Sequence, residues 1–118
     1  MGDRKQRESA RLKMNLDIRY TSKKNGVSVT KSKDINMGGA QIVTRRSLRS
    51  GDALDLEIFL PNERDSPIKA KGFVVWQDKI SDSEYDTGIK IEIPDIDDEG
   101  RLRSYVLHQQ GSIQGVMW

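Results

Sequence analysis

Two arginines close to the N-terminus have a spacing that suits the binding of an anion. They are Arg7 and Arg11 in the stretch RESAR, and Arg4 lies one step further out. A guanidinium group donates two hydrogen bonds at once, to two phosphate oxygens or to the O6 and N7 atoms of guanine. Two such groups four residues apart are able to clamp a nucleotide, and the alternative interpretation is a solvated basic tail.

Residue types that serve other chemistries are scarce in this chain. There is no cysteine and a single histidine, His108, which excludes disulfides, thiolate zinc sites and two-histidine mechanisms. The sequence contains no Gly-x-Ser-x-Gly elbow and no phosphate-binding loop with its lysine. The acidic run at 95–99 lacks the spacing of a calcium loop and suits the N-terminus of a helix. We therefore expect a binding protein that is not an enzyme and holds no metal.

The charges are distributed unevenly along the chain. Residues 1–50 hold 13 lysines and arginines against 4 aspartates and glutamates, a net charge of +9, whereas residues 51–118 hold 7 against 14, a net charge of −7. A basic half favours an anionic partner such as a nucleotide, a nucleic acid or a membrane surface, unless the acidic half offsets it after folding. No apolar run is long enough for a membrane span or a signal peptide, so we expect a cytoplasmic protein without membrane insertion.

The length and the hydrophobic pattern predict one small β-rich domain. The 118 residues suit a single core, and the polar residues 1–11 predict a basic flexible arm that carries the arginines. In residues 12–93, apolar and polar residues alternate in six segments, which predicts strands within 12–20, 27–33, 40–44, 54–60, 68–77 and 85–93. Closely spaced strands in a short chain favour an antiparallel barrel, which leaves no open sheet edge.

Residues 94–118 predict a helix followed by a tail. Asp97 or Asp98 is expected to cap the helix, and the helix is expected to plug or flank the barrel. The tail ends in Trp118, a side chain that is costly to leave in water. Four residues share one helical face at the expected spacing: Leu102, Tyr105, Val106 and Gln109.

The arginine pair and a second motif together resemble the PilZ domain family. After one predicted hairpin, RESAR is followed by Asp34-x-Asn36-x-x-Gly39. This order and distance are similar to the two PilZ signatures, Arg-x-x-x-Arg and Asp/Asn-x-Ser-x-x-Gly. GFVVW at 72–76 and YDTGIKI at 85–91 look like the later strands of the family. The resemblance covers residues 4–93 and implies an all-β fold, a six-stranded antiparallel PilZ-like β-barrel with a C-terminal α-helix.

The resemblance also implies a ligand, the bacterial second messenger cyclic di-GMP. By the family pattern, Arg7 and Arg11 hold guanine edges and phosphates, and the arm orders around the ligand. Asp34 accepts hydrogen bonds from N1 and N2 of a guanine, which adenine does not offer. Gly39 stands at the invariant glycine position, where the backbone is expected to approach the ligand or to adopt a positive φ, and Gly38 is a flexible spacer.

Asn36 departs from the family pattern, which has a serine at this position. The amide of asparagine is also able to donate to a phosphate, so we expect binding to be retained with an altered affinity. In the alternative interpretation Asn36 only closes a local turn and no ligand binds.

Two further groups of side chains have more than one interpretation. Trp76 either stacks on a guanine face or occupies an ordinary barrel position. Arg45, Arg46 and Arg49 either extend the basic surface toward the phosphates or are solvated loop charges.

The sequence therefore predicts a cyclic di-GMP sensor or adaptor, in which ligand binding orders residues 4–11 and changes the surface seen by an effector protein. Neither the effector nor the oligomeric state follows from the sequence, and a homo-oligomer is compatible with it. The alternatives are a degenerate PilZ-like protein-interaction module and a basic nucleic-acid-binding barrel. Asp34 disfavours the second alternative, because a carboxylate is unfavourable beside a phosphate track.

Overall fold

The computed structural model describes residues 14–24 and 26–115, with side chains described as far as residue 109. The predicted arm at 1–11, with Arg4, Arg7 and Arg11, lies outside the described residues, as does Trp118. Six strands precede one helix in the described chain. The elements are β1 (Asp17–Ser22), β2 (Gly26–Ile35), β3 (Gly39–Thr44), β4 (Ala53–Phe59), β5 (Ile68–Ser81), β6 (Glu84–Glu92) and α1 (Ile96–Gly115).

The six strands form a closed barrel in the order β1-β2-β3-β6-β5-β4, and every neighbouring pair is antiparallel. This confirms the predicted fold, a six-stranded antiparallel barrel with a C-terminal helix. The register shifts in β2 between Ser32 and Asp34 and in β5 between Val74 and Trp76. Each bulge adds one residue to its strand and increases the local bend, which helps a small sheet to close.

Several strands extend beyond the bounds that the sequence pattern predicts. β2 continues to Ile35, so Asp34 belongs to the end of a strand and not to a loop. β5 and β6 continue through most of the predicted turn at 78–84 and leave only Asp82 and Ser83 as its tip. Residues 78–81 are exposed on both faces of this projecting hairpin, so no apolar alternation marks them as strand.

The alternating apolar residues of the strands form the core. Ile18, Ile42 and Ile58 are fully buried, and Leu102 and Val106 of α1 join the same cluster. Burying a side chain of this size contributes about 1.5–3 kcal/mol. The strand alternation and the apolar face of α1 therefore place the core as predicted.

The two ends of the barrel differ. The helix end carries residues 36–38, the loop at 60–67 and α1, whereas the hairpin end carries the β1–β2 turn, residues 45–52 and the β5–β6 turn. At the hairpin end, Gln77 points inward and its amide bonds the hydroxyls of the buried Thr44 and Thr87, at 2.9 and 3.1 Å. The same amide group bonds Arg46 O (3.0 Å) and Leu48 N (2.9 Å). Gln77 thus ties the segment after β3 across this end.

At the helix end, α1 is capped and anchored by charged side chains. The cap is Asp95, whose Oδ1 accepts from the backbone N–H groups of Asp97 (2.8 Å) and Asp98 (3.0 Å). The expectation that Asp97 or Asp98 caps the helix is therefore wrong, because the helix starts one residue after Asp95. Arg101 joins α1 to the 60–67 loop through Glu63, at 2.8 and 3.0 Å. This carboxylate raises the pKa of Arg101.

Candidate functional site

The last residues of β2 lead directly into the second motif. Asp34 is opposite Gln41 of β3. The residues on either side of Gln41, Ala40 and Ile42, point into the core, so Gln41 points outward. Asp34 is therefore on the outer face of the barrel, where it is half-buried and its Oδ1 is shielded from solvent. The Asp34 carboxylate therefore lies partly sheltered on the outer wall, at the end of β2 and next to the Asn36 turn.

Asn36 closes the turn that follows. Its Oδ1 accepts hydrogen bonds from Gly38 N (2.8 Å) and Gly39 N (2.9 Å), and Asn36 N donates to Gly39 O (2.9 Å). This is the Asx-type closure considered above for Asn36. The closure uses only the carbonyl oxygen of the amide, so the Nδ2 group is not required to hold the turn.

Gly39 and Gly38 have different surroundings. A Cβ atom on Gly39 would lie 2.7 Å from Ile89 O of β6, whereas one on Gly38 would lie 3.7 Å from Asn36 Oδ1, an ordinary contact. Within the described chain, a positive φ occurs at Gly26 and Gly51 and not at Gly39. Of the two alternatives expected for Gly39, the positive φ is therefore wrong, and the approach of its backbone to the ligand stays a prediction. The structure adds a further reason for the glycine, the close backbone packing between β3 and β6.

The strand register places Asp34 and Trp76 in one cross-strand row on the outer face. The row runs from Asp34 of β2 through Gln41 of β3 and Gly88 of β6 to Trp76 of β5. Neighbouring strands are about 4.8 Å apart, so about 14 Å of sheet separates the two ends of the row. An acid, an amide and an indole therefore line one strip of the barrel wall.

Trp76 covers the backbone of Gly88. A Cβ atom on Gly88 would lie 2.2 Å from Trp76 Nε1, so the indole takes the place of the missing side chain, and it remains 39% exposed. The outer face of the barrel thus carries a flat aromatic surface beside Gln41. Sequence reasoning missed both Gln41 and Gly88. Alternation along β3 puts Gln41 on the face of Asp34, but the pairing of Trp76 with Gly88 depends on the β5 bulge.

Arg45, Arg46 and Arg49 lie at the hairpin end. They follow β3, whose five residue steps from Gly39 to Thr44 span about 17 Å. This placement separates them from the turn at Asn36 and does not bring them together with Asp34.

Ser32 fixes the chain just before β1 against β2. Its hydroxyl donates to Met14 O and accepts from Leu16 N (3.0 Å), while Ser32 N donates to Leu16 O (2.9 Å). Ser32 is 1% exposed, so these bonds are made in the core. The chain that precedes β1 therefore joins the barrel at Ser32, two residues before Asp34 on the same strand.

Ser32→Ala is expected to lower the free energy of unfolding by about 1–3 kcal/mol, because Met14 O and Leu16 N each lose a buried partner. Urea unfolding measures the change. Ser28→Ala, on the same strand but half-exposed, serves as the control and is expected to change it by less than about 0.5 kcal/mol. Equal losses in the two variants would contradict the role of Ser32.

The closed six-stranded antiparallel barrel, with an Asx-type turn after β2 and a helix at one end, defines a small β-barrel domain. The sequence model of the PilZ domain matches residues 5–108, so the chain belongs to the PilZ domain family. This confirms the resemblance found in the sequence. No curated protein matches the chain.

Solved PilZ structures share the fold. The chain is similar to the inhibitor of motility MotI/DgrA of Bacillus subtilis, with a TM-score of 0.69 and 23% identity over 85% of this chain and 48% of that one. The K. pneumonia MrkH–c-di-GMP complex gives a TM-score of 0.66 and 20% identity over 89% and 51%. The PilZ domain of YcgR from Escherichia coli, with c-di-GMP, gives 0.66 and 10% over 91% and 93%. The chain thus spans about half the length of MotI/DgrA and MrkH.

The described residues contain neither a cluster of metal ligands nor a helix suited to crossing a membrane. Among them, no group of three or more His, Cys, Asp or Glu side chains is placed to hold a metal ion. The helix that the structure describes is not apolar enough over its length to cross a membrane.

Proposed function

We propose that this chain is a non-catalytic, cytoplasmic sensor or adaptor that binds cyclic di-GMP and signals to an effector protein. The observation that carries the proposal is the position of Asp34, half-buried on the outer wall, beside the point where the N-terminal arm joins the barrel. MrkH forms a complex with c-di-GMP, and the PilZ domain of YcgR has been solved with c-di-GMP. These proteins share the fold of this chain, which supports the same ligand class here.

The short stretch of chain between Arg11 and Met14 supports a site that the arm and the barrel form together. Ser32 holds Met14 beside β2, and three extended residues span at most about 11 Å, which limits how far Arg11 lies from that point. Arg7 is four residues further out. In the proposed mechanism both arginines reach the ligand on the Asp34 side of the barrel and clamp its phosphates and guanine edges, with Arg4 as an outer contact. Residues 1–11 then act as an arm that orders on binding.

Residues of the barrel wall and of the turn after β2 complete the proposed site. Asp34 accepts from N1–H and N2–H of guanine, and the Nδ2 group of Asn36 donates to a phosphate while its Oδ1 keeps the turn closed. Gly39 and Gly38 supply the turn backbone. Trp76 offers its exposed indole face for stacking, a contact worth about 1–3 kcal/mol per base.

The output of such a sensor is a change of surface. Ordering the arm against the barrel presents a new face to a partner protein or to a second copy of the chain, and only a difference in affinity between the two states shifts the population. In this proposal the chain has three parts: the arm at 1–11, the barrel at 12–93, and the helix and tail at 94–118.

One titration series tests the proposal. Calorimetry with cyclic di-GMP, cyclic di-AMP and GTP is expected to show binding of the first only, with quenching of tryptophan fluorescence that is reduced in Trp76→Leu. Absence of heat with the folded protein would favour the degenerate interaction module, in which Asn36 serves the turn alone. Tight, salt-steep binding of RNA with no preference for guanine would favour the nucleic-acid-binding barrel.

A further inference from the structure

The lysines and arginines of the described chain fall into two groups. Of the 15 between residues 14 and 109, nine have a carboxylate oxygen within 4.0 Å. No such ion pair is found among the described residues for the other six. Five of these six lie together at the hairpin end and form a group that we call the basic rim: Lys23, Lys24, Arg45, Arg46 and Arg49. The acidic half of the chain therefore forms ion pairs with basic residues elsewhere, whereas no carboxylate among the described residues lies within 4.0 Å of the cations of the basic rim, and Asp52 lines the same cleft as Lys23, Lys24 and Arg49.

An open strand edge lies beside the basic rim. β2 pairs with β1 along residues 26–31, but its pairing with β3 begins only at Ser32. β3 ends at Thr44, and the chain then turns to β5, where Arg46 O and Gly51 N bond Gln77 and Val74. Within the described residues, the edge of β2 over 26–31, here called the open edge, has no strand on its β3 side.

The open edge has little of the protection that is usual for such an edge. Natural sheets shield their edges with lysines and other charged side chains, proline, bulges or a covering segment. Here the outward residues Val27 and Val29 are 62% and 70% exposed, and Lys31 is the single charged residue of the stretch. About 20 Å of strand is therefore presented for pairing.

We propose that the open edge and the basic rim together form a docking surface for an acidic, extended segment of a partner protein. The segment adds to β2 as a further strand, in line with β3 beyond Thr44. Lys23 and Lys24 flank the turn where the edge starts, and Arg45 and Arg46 stand where β3 leaves the sheet, so carboxylates along the segment meet cations at both ends. Valines of the segment pack beside Val27 and Val29.

The chemistry of this surface favours an acidic peptide over other occupants. A strand edge offers alternating N–H and C=O groups, which pair with a peptide backbone and not with a lipid or a nucleic acid. The N-terminal arm of the same chain carries five lysines and arginines against two acids in residues 1–13, so the basic rim repels it. A second copy paired through β2 would bring two basic rims together at the same cost.

The arrangement is held in place before any partner arrives. Gln77 fixes the segment after Thr44 through Arg46 O and Leu48 N, and Asp52 accepts from Arg49 N at 2.9 Å. A cleft of about 530 Å³ lies between this segment and the β1–β2 turn. Little conformational entropy is lost at the surface on docking, which favours affinity.

A labelled peptide of alternating valine and glutamate, about ten residues long, tests the proposal by fluorescence anisotropy with the full chain and no nucleotide. It is expected to bind, and a peptide with lysine in place of glutamate is not. Lys24→Gln and Arg46→Gln are each expected to weaken binding about two- to fivefold, and the double variant about tenfold. Lys69→Gln is the matched control, because Lys69 is the sixth cation without an ion pair and lies far away on β5.

Backbone methylation separates strand addition from simple charge attraction. An added strand directs the N–H groups of every second residue toward β2. One peptide is methylated at the backbone nitrogens of its valines and a second at those of its glutamates. Methylation is expected to abolish binding in the peptide whose methylated nitrogens face β2 and to spare binding in the other. Equal effects of the two methylated peptides, no binding of the parent peptide, or stronger binding of RNA through the same lysines and arginines would each overturn the proposal. Cyclic di-GMP binding is expected to be unchanged in Lys24→Gln and Arg46→Gln, so this test stands apart from that of the nucleotide site.

Discussion

Asp34→Asn is expected to weaken the binding of cyclic di-GMP about 100-fold while the barrel remains folded. The carboxylate accepts two hydrogen bonds from guanine in the proposed complex, and bonds to a charged group contribute about 1.5–3 kcal/mol each. The asparagine amide has nearly the same shape, but it turns an N–H donor toward a guanine N–H donor. A loss of about 2.7 kcal/mol corresponds to the 100-fold change. Isothermal titration calorimetry measures it.

A carboxylate on the other side of the barrel provides the control for this variant. Asp55 of β4 pairs with Lys71 of β5, away from the Asn36 turn. Asp55→Asn removes the same charge and is expected to leave the affinity within about twofold of the original. Binding by Asp34→Asn at the original affinity, or equal weakening in both variants, would show that Asp34 does not read the ligand.

The two proposals, binding of cyclic di-GMP and docking of a partner, assign different lysines and arginines of one basic half to different tasks. The nucleotide site is proposed to use Arg7 and Arg11 with Asp34, whereas Arg45 and Arg46 lie at the hairpin end, about 17 Å along β3 from Gly39. In a linear sequence the two groups contribute to a single net charge of +9. In the barrel, the start of β1 and residues 45–46 lie at opposite ends, because antiparallel strands deliver successive loops to opposite ends of the sheet.

The strands and the core were predictable because apolar alternation reports directly on which residues face inward. Ile18, Ile42 and Ile89 are buried as that pattern requires. Apolar alternation does not identify a strand whose two faces both meet solvent, as at residues 78–81. It also does not report strand pairing where a bulge shifts the register. Trp76 lies over Gly88 because Val75 adds one residue to β5, and no local signal in GFVVW reports the residue opposite.

The motif residues were predictable as a group, but their physical roles were only partly so. Asn36 closes its turn through Oδ1, as one of the two interpretations required. For Gly39 the positive φ was wrong and the approach to the ligand stays a prediction, but the sequence did not report that its backbone packs against β6. A contact with a strand about 50 residues further along the chain depends on the tertiary structure and leaves no trace in the neighbouring sequence.

Gly39→Val is expected to damage both stability and ligand binding, far more than Gly38→Ala. A Cβ atom at residue 39 lies 2.7 Å from Ile89 O, a backbone atom of β6 that cannot rotate away, so β3 and β6 must separate locally. Overpacking of this kind costs about 1–3 kcal/mol. It also displaces Gly39 N from Asn36 Oδ1, which opens the turn that follows Asp34.

Gly38→Ala supplies the matched comparison, because its Cβ atom meets Asn36 Oδ1 at 3.7 Å without a clash and the residue is exposed. It is expected to change the free energy of unfolding by less than about 0.5 kcal/mol. Gly39→Ala adds a single methyl group and keeps the test valid if the valine variant fails to fold. For the three variants, urea unfolding measures the change in stability and calorimetry measures the change in cyclic di-GMP binding. Equal effects at residues 38 and 39 would mean that the spacing of the two strands does not control the site, and that turn flexibility alone explains the adjacent glycines.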